Sequence, residues 1–141
     1  MRAAFLTGYG DNSVVAYGEV ADPSPSDDEA LIEVRAAGVN PVEVRMRQGL
    51  YQAAVPFSFP QVVGYDVAGV VSSAPAGSAY KTGDEIYARL PTRRPGAYAE
   101  RAVVPLSLSA HKPKSLSFEE AASLPTVALT TWQACSFCPT A

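Results

Sequence analysis

Asn40 stands at the end of an apolar run and directly before a proline, in the stretch GVNPVEVRMRQGLY that runs from Gly38 to Tyr51. A carboxamide in that place can do two things. It can cap the helix that Pro41 is suited to start, because asparagine is a good N-cap and proline a good first helical residue. It can also face a site, where it offers a neutral donor and a neutral acceptor. Local pattern alone leaves both open. The other residues able to do chemistry are fewer than they look. Cys135 and Cys138 form a C-x-x-C pair, the spacing of half a zinc site or of a redox couple. Zinc wants about four ligands. Yet His111 is the only histidine and no second C-x-x-C follows, so the pair reads as two ordinary thiols and His111 as structural or exposed.

The elements that must position Asn40 come from a chain of 141 residues with 48% apolar residues, 18% charged residues and a net charge of −3. That composition is globular rather than disordered. No basic cluster exceeds Arg93-Arg94, which gives no footprint for nucleic acid. No apolar run approaches the roughly 18 residues of a membrane span, and the N-terminus turns polar too soon for a signal peptide. A cytoplasmic protein is the expectation. Twelve prolines and ten glycines punctuate short apolar runs, which favours a mostly β domain.

Strands are expected over residues 1–7, 14–20, 29–39, 61–74, 85–89 and 97–105. Within 29–39, Ala30, Ile32, Val34 and Ala36 alternate with Leu31, Glu33, Arg35 and Ala37, as in a half-buried strand. The run 61–74 contains Gly64 and Gly69, which suggests a bend or a close backbone approach. A short helix is expected over 42–47. Ser117, with Glu119 and Glu120 behind it, marks another helix start, and a last helix follows Pro125 from 126 to about 137.

In order and spacing, AAGVNPVEVRMRQGLY, P-x-x-x-GYDVAGVV, GDEIYA, GAYAERAVVP and KPKSLSFEEAASLPTVALTTWQA together resemble the N-terminal GroES-like catalytic domain of the medium-chain dehydrogenase/reductases. Within them the chain is most similar to the zinc-independent quinone oxidoreductase (zeta-crystallin-like) branch. The resemblance implies a partly open β-barrel over residues 1–125, with 126–141 beginning a helix that links to a nucleotide-binding domain. Where the zinc alcohol dehydrogenases of this fold carry a cysteine, this chain has Asn40. Where they carry a His-Glu pair, it has Tyr65-Asp66, so neither the thiolate nor the imidazole of a catalytic zinc site is available.

The resemblance also assigns roles. It implies that NADPH gives a hydride to a quinone or an enone, with the protein supplying orientation, exclusion of water and a few hydrogen bonds. Asn40 would lie near the nicotinamide and the substrate carbonyl. Tyr51 would line the cleft and could donate to a carbonyl oxygen, or else be a packed aromatic with its hydroxyl at the surface. Tyr65 and Asp66 would form the cleft wall, or else Asp66 sits in a structural buried salt bridge, the reading its residue type favours, with Arg45 and Arg47 as candidate partners. Thr130 would contact the nicotinamide, or else bond its own helix. Trp132 reads as packing.

The chain carries no G-x-G-x-x-G turn after a strand, the phosphate cradle of the dinucleotide-binding fold. Three readings follow: half of a reductase completed by a Rossmann domain, which a separate chain could supply; a free-standing GroES-like binding or structural module; or an inactive truncated remnant whose last helix exposes apolar side chains.

Overall fold

The computed structural model describes residues 1–137. Among them are eight strands and three helices in the order β1 (Arg2–Leu6), β2 (Val15–Glu19), β3 (Glu29–Gly38), α1 (Pro41–Arg47), β4 (Gln61–Val62), β5 (Asp66–Ser73), β6 (Glu85–Arg89), β7 (Arg101–Pro105), β8 (Ser109–His111), α2 (Phe118–Ala122) and α3 (Pro125–Ser136). They form two antiparallel sheets, one ordered β2-β1-β4 and the other β7-β3-β5-β6-β8. The segment before β7 joins them. Ala3 bridges Ala99, and the Ala4 amide donates to the Tyr98 carbonyl at 2.8 Å while the Tyr98 amide donates to Val63 at 2.9 Å. The result is the expected partly open barrel. Its main core is Ala30, Ile32, Val67, Val71, Ile86, Leu90 and Val104 with smaller neighbours, and a second cluster gathers Leu6, Met46, Phe57, Val63 and Tyr65.

Four expectations need correction. The alternation along β3 does not hold to its end. Ala30 and Ile32 are buried in the main core, but beyond Val34 it is Ala37, and not Ala36, that packs there. Ala36 turns to the opposite face, against Ala68, Ala121 and Ala122. The cause is a bulge: Val34 pairs with Gly69 and Ala36 with Ala68, so Arg35 is the extra residue. One added residue flips every later side chain to the other face.

The run 61–74 is not one strand. Residues 63–65 leave the ladder between β4 and β5 because Gly64 takes φ +96°, a conformation a side chain rarely adopts. Its carbonyl there accepts the amides of Gly96 and Ala97 at 3.0 and 3.1 Å. The strand expected at 97 begins only at Arg101, since residues 97–100 are spent on the inter-sheet join. Finally β8, three residues long and paired to β6, was too short to carry a periodic signal.

On β5, Val67 and Val71 enter the main core, whereas Ala68 faces Ala121 and Ala122 of α2. Asp66 lies two residues before Ala68 and therefore shares its face. That face carries the last two helices. α2 starts as expected, with Ser117 Oγ accepting the Glu120 amide at 3.2 Å and the Glu120 carboxylate accepting the Ser117 amide at 2.8 Å. Ser117→Ala is expected to cost about 1 kcal/mol, read as a lower urea midpoint; an unchanged midpoint would show that the box does not hold α2. α3 starts differently. Its N-cap is Leu124, which has no side-chain oxygen to offer, so acceptors for its first amides must come from elsewhere. Trp132 does not pack; it is 75% exposed.

Candidate active site around Asn40

α1 starts at Pro41 with Asn40 at the N-cap in extended conformation. Glu43, three residues on, reaches back so that its Oε2 accepts the Asn40 backbone amide at 2.9 Å. The side chain of Asn40 does something further. Its Nδ2 donates to Asp66 Oδ2 at 3.0 Å and lies 3.4 Å from Glu43 Oε1. Asn40, Glu43 and Asp66 are all buried, with Asp66 only 1% exposed. Asn40 thus sits at the N-cap while its side-chain amide enters a buried polar cluster.

Asp66 is the centre of that cluster. Besides Asn40 Nδ2, its carboxylate accepts the Thr126 hydroxyl at 2.7 Å and the Thr126 backbone amide at 3.1 and 3.2 Å. It therefore supplies the acceptor that Leu124 cannot, and sits at the positive end of the α3 dipole. The expected salt bridge to Arg45 or Arg47 is replaced by neutral donors. Arg47 bonds Asn12 instead, and Arg45 lies exposed on the outer side of α1. A buried carboxylate can be held this way because several donors, with a helix end, offset its lost hydration.

Tyr98 closes the cluster from the inter-sheet segment, donating its hydroxyl to the Gly38 carbonyl at 3.1 Å. Burial, together with the nearby Glu43 and Asp66 carboxylates, pushes its phenol well above the usual range. Tyr65, expected in the cleft wall, is instead packed inside. It is 1% exposed, its hydroxyl donates to the Thr92 carbonyl at 3.2 Å and the Arg89 guanidinium lies 5.4 Å from its ring centre. Burial and the charge of Glu43 push it up to about 12.

Glu43 is raised above its ordinary 4.5 by burial, which outweighs the hydrogen bonds it accepts. The folded chain then keeps a proton that the unfolded chain has released, so stability from this group is full below about 4.5 and is lost as pH rises through the folded value. Glu43→Gln removes the titration. The stability of wild type relative to Glu43→Gln is expected to fall between pH 4 and pH 7, measured as urea midpoints at each pH. A difference that grows with pH would contradict this.

The remaining candidates are spread out. Tyr51 lies in the turn after α1, 39% exposed. Asn40 opens onto a shallow groove of about 530 Å³ with Val39, Val44, Arg45 and Gln48. Thr130 faces a different groove, of about 750 Å³, between α3 and the β6/β8 edge, shared with Tyr87, Arg89 and Gln133. The structure brings Asn40 and Asp66 into contact and leaves Thr130 one helical turn beyond Thr126. His111 is exposed and packs on the Tyr80 ring at 4.9 Å. Cys135 is exposed on α3; Cys138 lies outside the described residues, so the C-x-x-C pair is not described as a unit. Glu43, Thr126 and Tyr98 were not singled out from sequence. N-x-x-E before a helix is a capping pattern that could have found Glu43. Thr126 and Tyr98 carry no local signal.

Each of the side chains of Asn40, Thr130 and Tyr51, taken by itself, has hydrogen-bonding capacity that suits a carboxamide such as that of nicotinamide. Asn40 Oδ1, with two lone pairs, suits a carboxamide N–H, and the exposed hydroxyls of Thr130 and Tyr51 can donate or accept.

A barrel of this topology with a polar cluster at its α1 edge defines a GroES-like domain of the medium-chain dehydrogenase/reductases. Residues 26–114 match the family model "Alcohol dehydrogenase GroES-like domain", and the chain belongs to that family. It is 39% identical over 136 residues to the "Quinone-oxidoreductase homolog, chloroplastic" of Spinacia oleracea, covering 95% of this chain and 41% of that protein. It is 38% identical over 135 residues to the "NADPH-dependent alkenal/one oxidoreductase, chloroplastic" of Arabidopsis thaliana, covering 89% of this chain and 34% of that one. Among solved structures, the Escherichia coli quinone oxidoreductase complexed with NADPH superposes with a TM-score of 0.87 at 27% identity, over 97% of this chain and 41% of that one. The chain thus spans about two fifths of the length of these relatives or less.

Proposed function

We propose that this domain forms the substrate side of an NADPH-dependent reductase of quinones and enones, completed by a nucleotide-binding domain. When bound, NADPH supplies a hydride from C4 of its nicotinamide ring, becoming NADP⁺ as the electrophilic carbon of the substrate is reduced; a proton from solvent balances the product. The chain's own residues position and desolvate. Asn40 offers Oδ1 to the carboxamide, Thr130 offers its hydroxyl from α3, and Tyr51 can donate to the substrate oxygen. The observation that carries the reading is the clamp on Asn40: a carboxamide whose donor side is fixed by Asp66 at 3.0 Å presents a defined acceptor at the lip of a groove. Its support from relatives is the likeness to quinone and alkenal reductases.

The test mixes the 141-residue chain with the separately produced nucleotide-binding portion of the spinach relative. NADPH oxidation is followed at 340 nm with p-benzoquinone and with but-3-en-2-one, and NADPH binding by fluorescence. Turnover that needs both polypeptides, and a loss of about tenfold or more in Asn40→Ala, is the expected result. A complex that forms and binds NADPH but reduces neither compound would reject the reductase reading in favour of a non-catalytic module.

A further inference from the structure

We propose that Asp66 is a positioning residue, a single carboxylate that ties the Asn40 amide to the first turn of α3 so that the Asn40 edge of the barrel and the helix that carries Thr130 move as one. Its meaning for catalysis rests on the reductase reading above; the coupling itself does not. Three observations point to it. First, the two elements meet on the same atom: Asp66 Oδ2 accepts both Asn40 Nδ2, at 3.0 Å, and the Thr126 amide, at 3.2 Å. A shift of one donor moves the oxygen that serves the other. Second, Asp66 is anchored. It pairs with Gly38 on one side and Arg89 on the other, at the start of an inner strand of the five-stranded sheet. The Gly38 end of β3 is pressed against it, since a Cβ added at Gly38 would lie 2.9 Å from Asp66 Cβ and 2.6 Å from the Ala122 carbonyl. Asn40 is thus referenced to Asp66 through the strand register as well as through its side chain.

Third, α3 has no cap of its own, because Leu124 stands at its N-cap. The Thr126 hydroxyl and amide, both on Asp66, are what fix the first turn. Thr130 follows four residues later, on the same side of the helix. A loosened first turn would therefore carry Thr130 with it. The same clamp sets the chemistry of Asn40. With Nδ2 turned to two carboxylates, Asn40 meets a ligand as a hydrogen-bond acceptor, not as the donor to a developing oxyanion.

The coupling is tested on the 141-residue chain by NMR of the Asn40 side-chain amide, with β3 and β5 backbone amides reporting that the fold is kept. Thr126→Val leaves Asp66 intact and removes only the hydroxyl on another element. It is expected to move the Asn40 Nδ2 resonances and to speed exchange of the residue-126 amide about tenfold; Thr126→Ser should restore both. Asp66→Asn should produce the larger change of the same kind. Asn40 resonances that stay in place in folded Thr126→Val would overturn the coupling, whatever Asp66→Asn does. In the reconstituted reductase, Thr126→Val should lower kcat about tenfold with the quinone KM within about twofold, again restored by serine. Moved resonances with an unchanged kcat would overturn the positioning role. A wild-type complex that forms and binds NADPH without turnover would instead reject the reductase reading, with the NMR result still deciding the coupling.

Discussion

Tyr65→Ala is expected to remove about 4 kcal/mol of folding stability, the middle of the range for truncating a buried aromatic. Tyr65 heads the largest fully buried side chains of the domain. Its ring fills the space between Leu6, Met46, Phe57 and Val63 and carries the Arg89 guanidinium on one face. The walls around it cannot collapse easily. The Tyr65 carbonyl accepts the Leu90 amide at 2.7 Å and the neighbouring Gly64 carbonyl accepts two more amides, so the backbone is pinned on both sides of the cavity that alanine would leave. Tyr65→Phe is the contrasting variant. It keeps the ring and gives up only the 3.2 Å bond to Thr92, at about 1 kcal/mol. Were Tyr65 part of the cleft wall, as the family resemblance implies, phenylalanine would alter ligand binding more than stability. Urea unfolding of the two variants separates these cases, and an alanine variant within about 1 kcal/mol of wild type would refute the packed role.

What could be read in advance follows the range of each interaction along the chain. The start of α1 at Pro41 and the capping box at Ser117 were legible because all their determinants lie within four residues. Asn40 stood out for the same reason. The partner of Asp66 was not legible. The sequence offered Arg45 and Arg47 as candidate partners, yet the donors are the neutral Asn40, 26 residues away, and Thr126, 60 residues away. Nothing local in a threonine after a proline announces that it will meet a strand from the middle of the chain. Tyr65 misled for a related reason. A one-residue step separates it from Asp66, and the break at Gly64 sends its ring into the core while Asp66 turns to the helices. The alternation along β3 failed at Arg35 because a bulge is a property of two paired strands, and only one of them was in view.

That bulge also explains why the site and the core are hard to separate energetically. β3 ends at Gly38, beside Asp66 and two residues before Asn40, and the register that delivers Gly38 to Asp66 is set at the bulge. The order of causes runs from a close contact of two backbones, to a shifted register, to the juxtaposition of a carboxamide with a carboxylate. The first link can be broken alone.

Gly69→Ala breaks it, at an expected cost of about 3 kcal/mol, the upper part of the range for overpacking. A Cβ at Gly69 would lie 2.2 Å from the Glu33 carbonyl oxygen and 3.1 Å from its carbon. Neither atom is the tip of a flexible side chain, and β3 is held from its other edge by β7 through five paired residues. The strand can yield only by opening the β3–β5 ladder at the bulge. The expected signature is therefore twofold. The urea midpoint falls, and in the protein that remains folded the Asn40 side-chain amide loses its bond to Asp66, because the pairing of Gly38 with Asp66 lies downstream of the same bulge. Gly77→Ala is the matched comparison: Gly77 has φ +80° but open space around its Cβ position, so it should cost only about 1 kcal/mol of backbone strain and leave Asn40 untouched. A Gly69→Ala protein that keeps both its midpoint and its Asn40 resonances would show that the ladder is loose enough to absorb a methyl group, and the register would then need another origin.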